Sequence, residues 1–334
     1  MAGWRAGPRN LITDIAGISV GHADDAALKS GTTAVIFAEP AVASVSILGG
    51  APGTREIALL EPEGTVQAVD ALVLSGGSAF GLDSAAGVMA FLAEAGRGFA
   101  VSGHRIPIVP GAILFDLANG GDKEWGRFPP YRDLGHAAAA GASSDFEIGS
   151  VGAGTGCTTA TVKGGLGSAS TVLESGVTVA ALVAVNAVGS PLIGLTRHFW
   201  AAPFEIDGEF GGLGQPQPWP TDGAIVRTKL DARPGGNTTI GIVATDAVLD
   251  KAGARRLAIA GQDGYARAIW PAHTDLDGDL VFGVATGGSG AVLDPRQRAE
   301  LGAAAAATMA RAIARGIVAA TSASRDKLRT WSDI

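Results

Sequence analysis

Residues 235–239 of the chain read Gly-Gly-Asn-Thr-Thr and lead directly into the apolar run Ile-Gly-Ile-Val-Ala of residues 240–244. The apolar run is bounded by glycine, asparagine and threonine, and its branched residues predict a buried strand. The two glycines before it can adopt a twisted backbone that other residues reach only with strain. The Asn237–Thr238 peptide bond is therefore a candidate site of self-cleavage.

A threonine at this position has the chemistry to cut the bond and then to act as a nucleophile. The Thr238 hydroxyl would attack the Asn237 carbonyl to form an ester, which water then hydrolyses. The freed α-amine of Thr238 titrates at about pH 8, so it is substantially uncharged at neutral pH and can serve as a general base. We expect fragments 1–237 and 238–334.

Two other interpretations of residues 237–239 compete with a cut site. Asn-Thr-Thr fits a glycosylation sequon, but this requires secretion, and residues 1–8 contain no apolar segment of a signal peptide. An asparagine turn that enters a strand of β-branched residues explains the same string without any function, and it is the commoner origin of such a string.

A second cluster favours the catalytic interpretation. Residues 271–279 are followed by the apolar run 280–285, which reads as a buried strand. Three carboxylates stand at alternate positions in this cluster: Asp275, Asp277 and Asp279. In an extended segment they lie on one side. Such close like charges raise one another's pKa unless a cation, such as a freed ammonium on Thr238, lies among them.

These segments resemble the self-processing aminopeptidase family that includes β-aminopeptidases, L-aminopeptidase/D-amidase/esterases and nylon-oligomer (aminohexanoate-oligomer) hydrolases. The resemblance runs nearly end to end and is specific as a set of five segments: 10–22, the glycine-rich turn Leu-Ser-Gly-Gly-Ser-Ala-Phe-Gly-Leu at 74–82, 237–240, 244–247 and 273–279. It implies a four-layer α-β-β-α sandwich of the N-terminal-nucleophile hydrolase type, related in topology to ornithine acetyltransferase. Residues 1–334 would form one domain.

The resemblance also implies roles for individual residues. Thr238 would be the nucleophile, and Asp277 and Asp279 would order its amine and hydroxyl. Asn186, in the predicted strand 183–187, would donate its amide to the developing oxyanion; without the resemblance it reads as a satisfied buried amide. Lys163 resembles a lysine near the nucleophile, although an exposed lysine before a turn is an equal alternative.

One position departs from the family pattern. In the stretch 113–116, where relatives often carry a tyrosine, this chain has Phe115, which has no hydroxyl to donate. We expect Phe115 to contribute to substrate binding, and the oxyanion site either to have one donor fewer or to use another group. The resemblance implies a homo-oligomer, with a tetramer expected, and no cofactor.

The substrate and the reaction retain alternatives. The acyl group on Thr238 could come from a peptide, a β-peptide, a D-amide or an aminohexanoate oligomer. An acyltransferase of the ornithine-acetyltransferase kind would replace water by an amine, and a non-enzymatic binding protein is a rival of another class. Residues 17–21 fit the Gly-x-Ser-x-Gly elbow of serine hydrolases, with His198 or His273 as the later base.

Other motifs fit known sites poorly. Residues 152–157 lack the third glycine of a dinucleotide fingerprint, and residues 76–78 have no following lysine for a phosphate loop. A calcium loop from Asp275 has glycine at the fourth position and Thr286 where a bidentate glutamate is needed. The histidines show no paired ligand spacing, so no metal site is predicted.

Composition is consistent with a compact enzyme, and the resemblance implies a small amide or peptide as its substrate. The chain has 334 residues, a net charge of −7 and a single cysteine, Cys157, which argues against a nucleic-acid surface and against an intramolecular disulfide. No segment reads as a membrane span, so we expect a cytoplasmic protein. The proline- and glycine-rich residues 208–233, just upstream of the candidate cut, are expected to be irregular and exposed.

Periodicity predicts the remaining elements. Strands are predicted at 33–37, 71–74 and 179–183, and helices at 78–95, 251–269 and 295–320. Trp125 and Trp200 could line a pocket, but core or subunit-contact positions are the favoured interpretation.

Overall fold

The computed structural model describes residues 3–231 and 237–334. Gly235 and Gly236, which the sequence places before the candidate cut, lie outside the described residues. The strands of the described chain are β1 (Ile18–Asp25), β2 (Ser30–Ile47), β3 (Gly53–Arg55), β4 (Ala68–Ser75), β5 (Phe99–Val101), β6 (His104–Ile106), β7 (Gly111–Ile113), β8 (Gly165–Val172), β9 (Thr178–Val185), β10 (Ile240–Thr245) and β11 (Leu280–Ala285). Its α-helices are α1 (Ser84–Glu94), α2 (Tyr131–Ala140), α3 (Lys251–Ala268) and α4 (Pro295–Val318).

A long strand, β2, organises the sheet. In the described chain the strands pair in the order β3-β7-β4-β2-β11-β10-β9-β8, and β1 also pairs with β2. A register shift between Ile36 and Ala41 divides the 18 residues of β2. Its first half pairs with β1 and β4, and its second half pairs with β11 and, at Ala41 and Val42, with the start of β4. The sheet therefore folds at β2 into two layers that share this strand.

Side-chain alternation along the strands sorts the apolar residues into separate cores, as a layered fold requires. In β10, Ile242 lies between the two sheet layers, whereas Val243 packs under α3 and α4. In β4, Leu72 lies between the layers and Val73 packs under α1 and α2. This order of layers confirms the predicted α-β-β-α sandwich.

The predicted elements are confirmed with shifts at their ends. The two strands that flank the site match the predictions for 240–244 and 280–285, and the helix predicted at 251–269 is α3. The helix predicted at 78–95 begins as the 3-10 helix Ser78–Asp83 and becomes α-helical only afterwards.

Helix α4 corrects one expectation. By length and composition it is apolar enough to cross a membrane, with a mean hydropathy of 1.3, so the expectation that no segment reaches that apolarity is wrong. In the fold, 78% of this stretch is buried, because α4 packs against α3, β8 and β9. Its apolarity is that of a core helix.

The segment upstream of the candidate cut is irregular over its described part, 208–231, where it contains no strand or α-helix and ends in the 3-10 helix Lys229–Asp231. It is not uniformly exposed, because Phe210 is only 2% exposed. Part of the predicted linker is therefore packed against the domain.

Candidate active site

Thr238 stands two residues before β10, between the residues that follow β9 and those that precede β11. The antiparallel register of β9 and β10 places it opposite Asn186, and its N–H donates to the Asn186 carbonyl at 3.0 Å. On the other side, the N–H of Gly278 donates to the carbonyl of Asn237 at 3.0 Å, which continues the pairing with β11. Thr238 is 3% exposed. The backbone around the candidate cut is therefore held from both sides.

The hydroxyl of Thr238 is hydrogen-bonded to the carbonyl of the preceding residue. Its Oγ1 donates to the Asn237 oxygen in a short hydrogen bond. A Cβ added to Gly278 would stand 2.6 Å from this Oγ1 and 2.7 Å from the carbonyl oxygen of Ala51. Real Cβ atoms do not come that close, so glycine is needed at 278 for the Thr238 side chain to keep its position.

Asp279 is bound to the residue that follows the candidate nucleophile. Its Oδ1 accepts from the N–H of Thr239 at 2.8 Å. Its Oδ2 accepts from the backbone N–H of His273 and faces the His273 Nδ1, each at 3.0 Å. Burial lowers the pKa of His273, but the hydrogen bond that His273 donates to Asp279 and the charge of Asp279 outweigh burial and raise that pKa above its usual value. His273 and Asp279 therefore form a charge-stabilised pair beside Thr239.

Asp277 fixes the neighbouring backbone. Its Oδ1 accepts from the N–H of Val188 at 3.0 Å, and its Oδ2 accepts from the backbone and hydroxyl of Thr274 at 3.1 and 2.8 Å. Burial, and then the negative charge of Asp279, raise the pKa of Asp277. Asp277 and Asp279 are each 1% exposed.

The third carboxylate of the cluster does not join them. Residues 275–276 form a turn, so Asp275 is exposed while Asp277 and Asp279 are buried. The expectation that all three lie on one side is wrong, because a turn rather than an extended segment begins the cluster.

Both the nitrogen and the oxygen of the Asn186 side-chain amide are hydrogen-bonded. Its Nδ2 donates to the carbonyl oxygen of Phe115 at 2.8 Å, and its Oδ1 accepts from the N–H of Thr158 at 3.0 Å. These partners fix which end is the nitrogen. Among the described residues Nδ2 donates only to Phe115, so its second hydrogen can serve another acceptor. Phe115 thus contributes its backbone carbonyl to the site, and its side chain has no hydroxyl.

Lys163 belongs to a neighbouring ionic cluster. It is buried, and its Nζ is 2.7 Å from Asp326 Oδ2, while Lys29 Nζ is 2.7 Å from Asp326 Oδ1. Its link to the candidate nucleophile is indirect: the backbone of Lys163 pairs with Thr158, which donates to Asn186. The structure therefore brings Thr238, Asn186, Asp277 and Asp279 together and places Lys163 beside them.

One site residue has no counterpart in the sequence predictions. Lys229 Nζ donates to the side-chain and backbone oxygens of Asn186, at 2.9 and 3.1 Å. It lies in the segment predicted to be exposed but is half-buried, and no motif predicts its contact with Asn186. Its only sequence signal is its closeness to Thr238 along the chain.

One alternative from the sequence loses support. Ser19, the serine of the Gly-x-Ser-x-Gly motif, lies inside β1, which is followed by β2 and not by a helix, so the motif is not a nucleophile elbow. The ring of Trp125 contacts Phe80 and Tyr131. Trp200 packs against two other tryptophans, Trp219 and Trp270.

Sequence comparison shows that the chain is similar to known peptidases. The family model of Peptidase family S58 matches residues 10–330. An uncharacterized aminopeptidase of Mycobacterium tuberculosis is 44% identical over 332 residues, which cover 92% of this chain and 94% of the relative. The 6-aminohexanoate-oligomer endohydrolase of Kocuria sp. is 28% identical over 290 residues, covering 84% of this chain and 76% of that enzyme.

Two solved structures share the fold at lower identity. A β-aminopeptidase of Burkholderia sp. matches with a TM-score of 0.72 and 23% identity, covering 99% of this chain and 92% of that one. The L-aminopeptidase D-Ala-esterase/amidase of Ochrobactrum anthropi, described as a variant of the Ntn hydrolase fold, matches with a TM-score of 0.71 and 21% identity, covering 98% and 92%. The fold is therefore that of Ntn hydrolases.

Proposed function

We propose that this chain, which belongs to Peptidase family S58 and is therefore a peptide-bond hydrolase, cleaves itself between Asn237 and Thr238 and then uses Thr238 as the nucleophile. The observation that carries the proposal is the contact between the Thr238 hydroxyl and the Asn237 carbonyl.

Self-cleavage would proceed by an acyl shift. The Thr238 oxygen bonds to the Asn237 carbonyl carbon, the C–N bond to Thr238 breaks, and the leaving nitrogen takes a proton to become an amine. The N–H of Gly278 already donates to the Asn237 oxygen, so it would stabilise the negative charge that develops on that oxygen. Water then hydrolyses the ester, leaving a carboxylate on Asn237 and a free α-amine on Thr238.

Turnover would repeat this chemistry on a substrate amide. The α-amine of Thr238 takes the proton of its own hydroxyl, the oxygen attacks the substrate carbonyl, and the proton passes to the leaving amine. The second hydrogen of Asn186 Nδ2 is available to the substrate oxyanion, because the first is bound by Phe115. Since Phe115 has no hydroxyl, Asn186 carries the side-chain share of this stabilisation.

The two carboxylates would hold the nucleophile in place during both reactions. Asp279 fixes Thr239 through its N–H, and Asp277 fixes the Val188 backbone, which lies beside Asn186. Both carboxylates are buried, so their negative charge acts in a medium that screens it weakly. Asp277 therefore favours a positive charge in this part of the site after the cut, whereas the charge of Asp279 is compensated by His273.

The fragments are proposed to stay associated. Arg311 of α4 is fully buried and paired with Glu209, which would belong to the larger fragment. Arg311 also donates to the Asn10 side chain and to the Ser170 carbonyl at 2.9 Å each. Separating the fragments would leave this guanidinium without its partners, which is strongly unfavourable.

Aminoacyl anilides test the proposed reaction, because release of the aniline reports acylation of Thr238. The matured protein should release aniline in water, and Thr238→Ala should release none. Adding an acceptor amine separates hydrolysis from acyl transfer: products in which the acyl group resides mainly on the amine would favour the acyltransferase alternative. No release with any aminoacyl, β-aminoacyl or aminohexanoyl anilide would contradict the proposed amidase.

A further inference from the structure

Lys229 shares an acceptor with the nitrogen of the candidate nucleophile. Its Nζ donates to the Asn186 backbone oxygen at 3.1 Å, and the Thr238 N–H donates to the same oxygen at 3.0 Å. The Lys229 backbone is held as well, since its N–H donates to the Val188 carbonyl at 2.9 Å. The amine is therefore fixed beside the atom that self-cleavage would convert into an α-amine.

The surroundings of this amine are unusual for a lysine. Within the described chain its side-chain partners are the two Asn186 oxygens, and it forms no ion pair with a carboxylate there. Burial lowers the pKa of Lys229 to about 7, although the negative charge of Asp277 nearby acts in the opposite direction. The Cys157 thiol is neutral, because burial raises its pKa.

We propose that Lys229 is a positioning residue of the active site, which orients the Asn186 amide and controls the proton on the α-amine of Thr238. This inference rests on the proposed function, because it needs the Asn237–Thr238 bond to be cut.

The first part follows from hydrogen bonding. Asn186 Oδ1 accepts from Lys229 at 2.9 Å and from Thr158 at 3.0 Å, so the amide nitrogen must face the opposite direction, toward Phe115. A charged donor on the oxygen of an amide polarises the group and strengthens its N–H as a donor. Lys229 would therefore improve the oxyanion donor without touching the substrate.

The second part follows from charge. After the cut, the Thr238 α-amine and the Lys229 amine would meet at one carbonyl oxygen, where two ammonium groups repel each other. Of the charged groups that face the two amines from the β11 side, Asp277 favours a positive charge, whereas Asp279, beside Thr239, is compensated by His273. The two amines would thus hold about one proton between them at neutral pH, which leaves one of them free as a base.

The test is the pH dependence of kcat/KM in matured protein. In the wild-type protein the acid limb of this pH profile should report the pKa of the Thr238 α-amine. Lys229→Met removes the competing amine, so the limb should move upward by about one pH unit, with about a tenfold loss at pH 7 that is recovered in alkaline solution. Lys229→Arg keeps the charge and should keep the limb near its wild-type position.

Lys327→Met is the matched control, because Lys327 is exposed and its Nζ contacts only the Ala118 carbonyl among the partners that the described chain provides. Its limb should not move. A uniform loss of rate in Lys229→Met with an unmoved limb, or an Arg variant that behaves like Met, would overturn the inference and leave Lys229 a structural residue.

A second measurement uses only wild-type protein, so it tests the inference even when Lys229→Met is not cleaved. Competitive labelling of wild-type protein with acetic anhydride across pH, read on the N-terminal peptide of the small fragment, gives the midpoint of the α-amine. We expect it about one unit below the usual value of about 8, and a midpoint at or above 8 would overturn the inference. If no fragment begins at Thr238, the proposed function fails instead.

Discussion

The hydroxyl of Thr238 donates a hydrogen bond to the carbonyl oxygen of Asn237, the residue that precedes it in the chain. The same carbonyl accepts from the N–H of Gly278 at 3.0 Å. The proposed nucleophile, the carbonyl that it would attack and a donor for the resulting charge are therefore in contact in the intact chain.

Gly278→Ala should impair self-cleavage. The added Cβ would stand 2.6 Å from Thr238 Oγ1 and 2.7 Å from the Ala51 oxygen, so the hydroxyl or the backbone must shift. We expect the free energy of unfolding to fall by about 1–3 kcal/mol, and fragments on a denaturing gel to accumulate at least about tenfold more slowly. Gly288→Ala is the control, because its Cβ would meet its nearest atom, Thr286 Oγ1, at 3.5 Å. Equal processing rates in the two variants would contradict the assigned packing.

Asp279→Asn and Asp277→Asn should each lower processing and turnover by about 10²-fold or more. An amide cannot accept on its nitrogen, so Asp279→Asn loses either the Thr239 or the His273 donor. Asp275→Asn on the same loop is the control and should behave as wild type, because Asp275 is exposed. Circular dichroism should show an intact fold in all variants. Near-wild-type rates with carboxamides at both buried positions would assign them a structural role.

Asn186→Ala should lower the acylation rate in single-turnover experiments on matured protein by about 10²–10³-fold. The reason is that Phe115 has no hydroxyl to share the charge. Phe115→Tyr should raise turnover of small aminoacyl amides if the added hydroxyl reaches the oxyanion, and should raise KM if the ring instead forms an apolar wall for the substrate. If Asn186→Ala is acylated at the wild-type rate, the oxyanion must be stabilised by backbone amides and not by Asn186.

Asp326→Asn should destabilise the chain in a pH-dependent way. Burial acts to raise the pKa of Asp326, but hydrogen bonds from Lys163 and Lys29 outweigh it and lower the pKa below the usual value. A carboxylate whose pKa is lower in the folded than in the unfolded chain stabilises the fold above about pH 4 and loses this contribution as the pH falls through its folded pKa.

At pH 7 we expect the loss to be about 3 kcal/mol in urea unfolding, because two lysines that are 8% and 4% exposed lose their shared carboxylate. The difference from wild type should shrink below pH 4. Asp145→Asn is the control: its pair with Arg9 is exposed, so the loss should stay below about 1 kcal/mol. A loss that is independent of pH would contradict the ionic account.

Much of the fold follows from local patterns in the sequence. β10 and β11 come from apolar runs bounded by turn residues, and α4 begins with Pro295 behind the Asp294 cap, whose side chain accepts from Gln297 at 2.8 Å. The order of the strands does not follow from such patterns. It depends on the bend in β2, which pairs residues far apart in the chain; the family resemblance supplied the four layers but no strand order.

The candidate site is predictable only in part for the same reason. Asn237 and Thr238 stand out because their chemistry is local, and Asp277 and Asp279 stand out by their spacing. The turn that separates Asp275 from them, and the burial of Lys229 against Asn186, depend on tertiary contacts. Lys163 reads as a residue of the site, but its partner Asp326 comes from the C-terminal segment, which no local pattern connects to it.

The most direct test of the account is to determine the N-termini and intact masses of the purified protein. We predict two fragments, the smaller beginning at Thr238, and a single intact, inactive chain in Thr238→Ala. A wild-type protein with one N-terminus that still hydrolyses aminoacyl anilides would contradict Thr238 as the nucleophile.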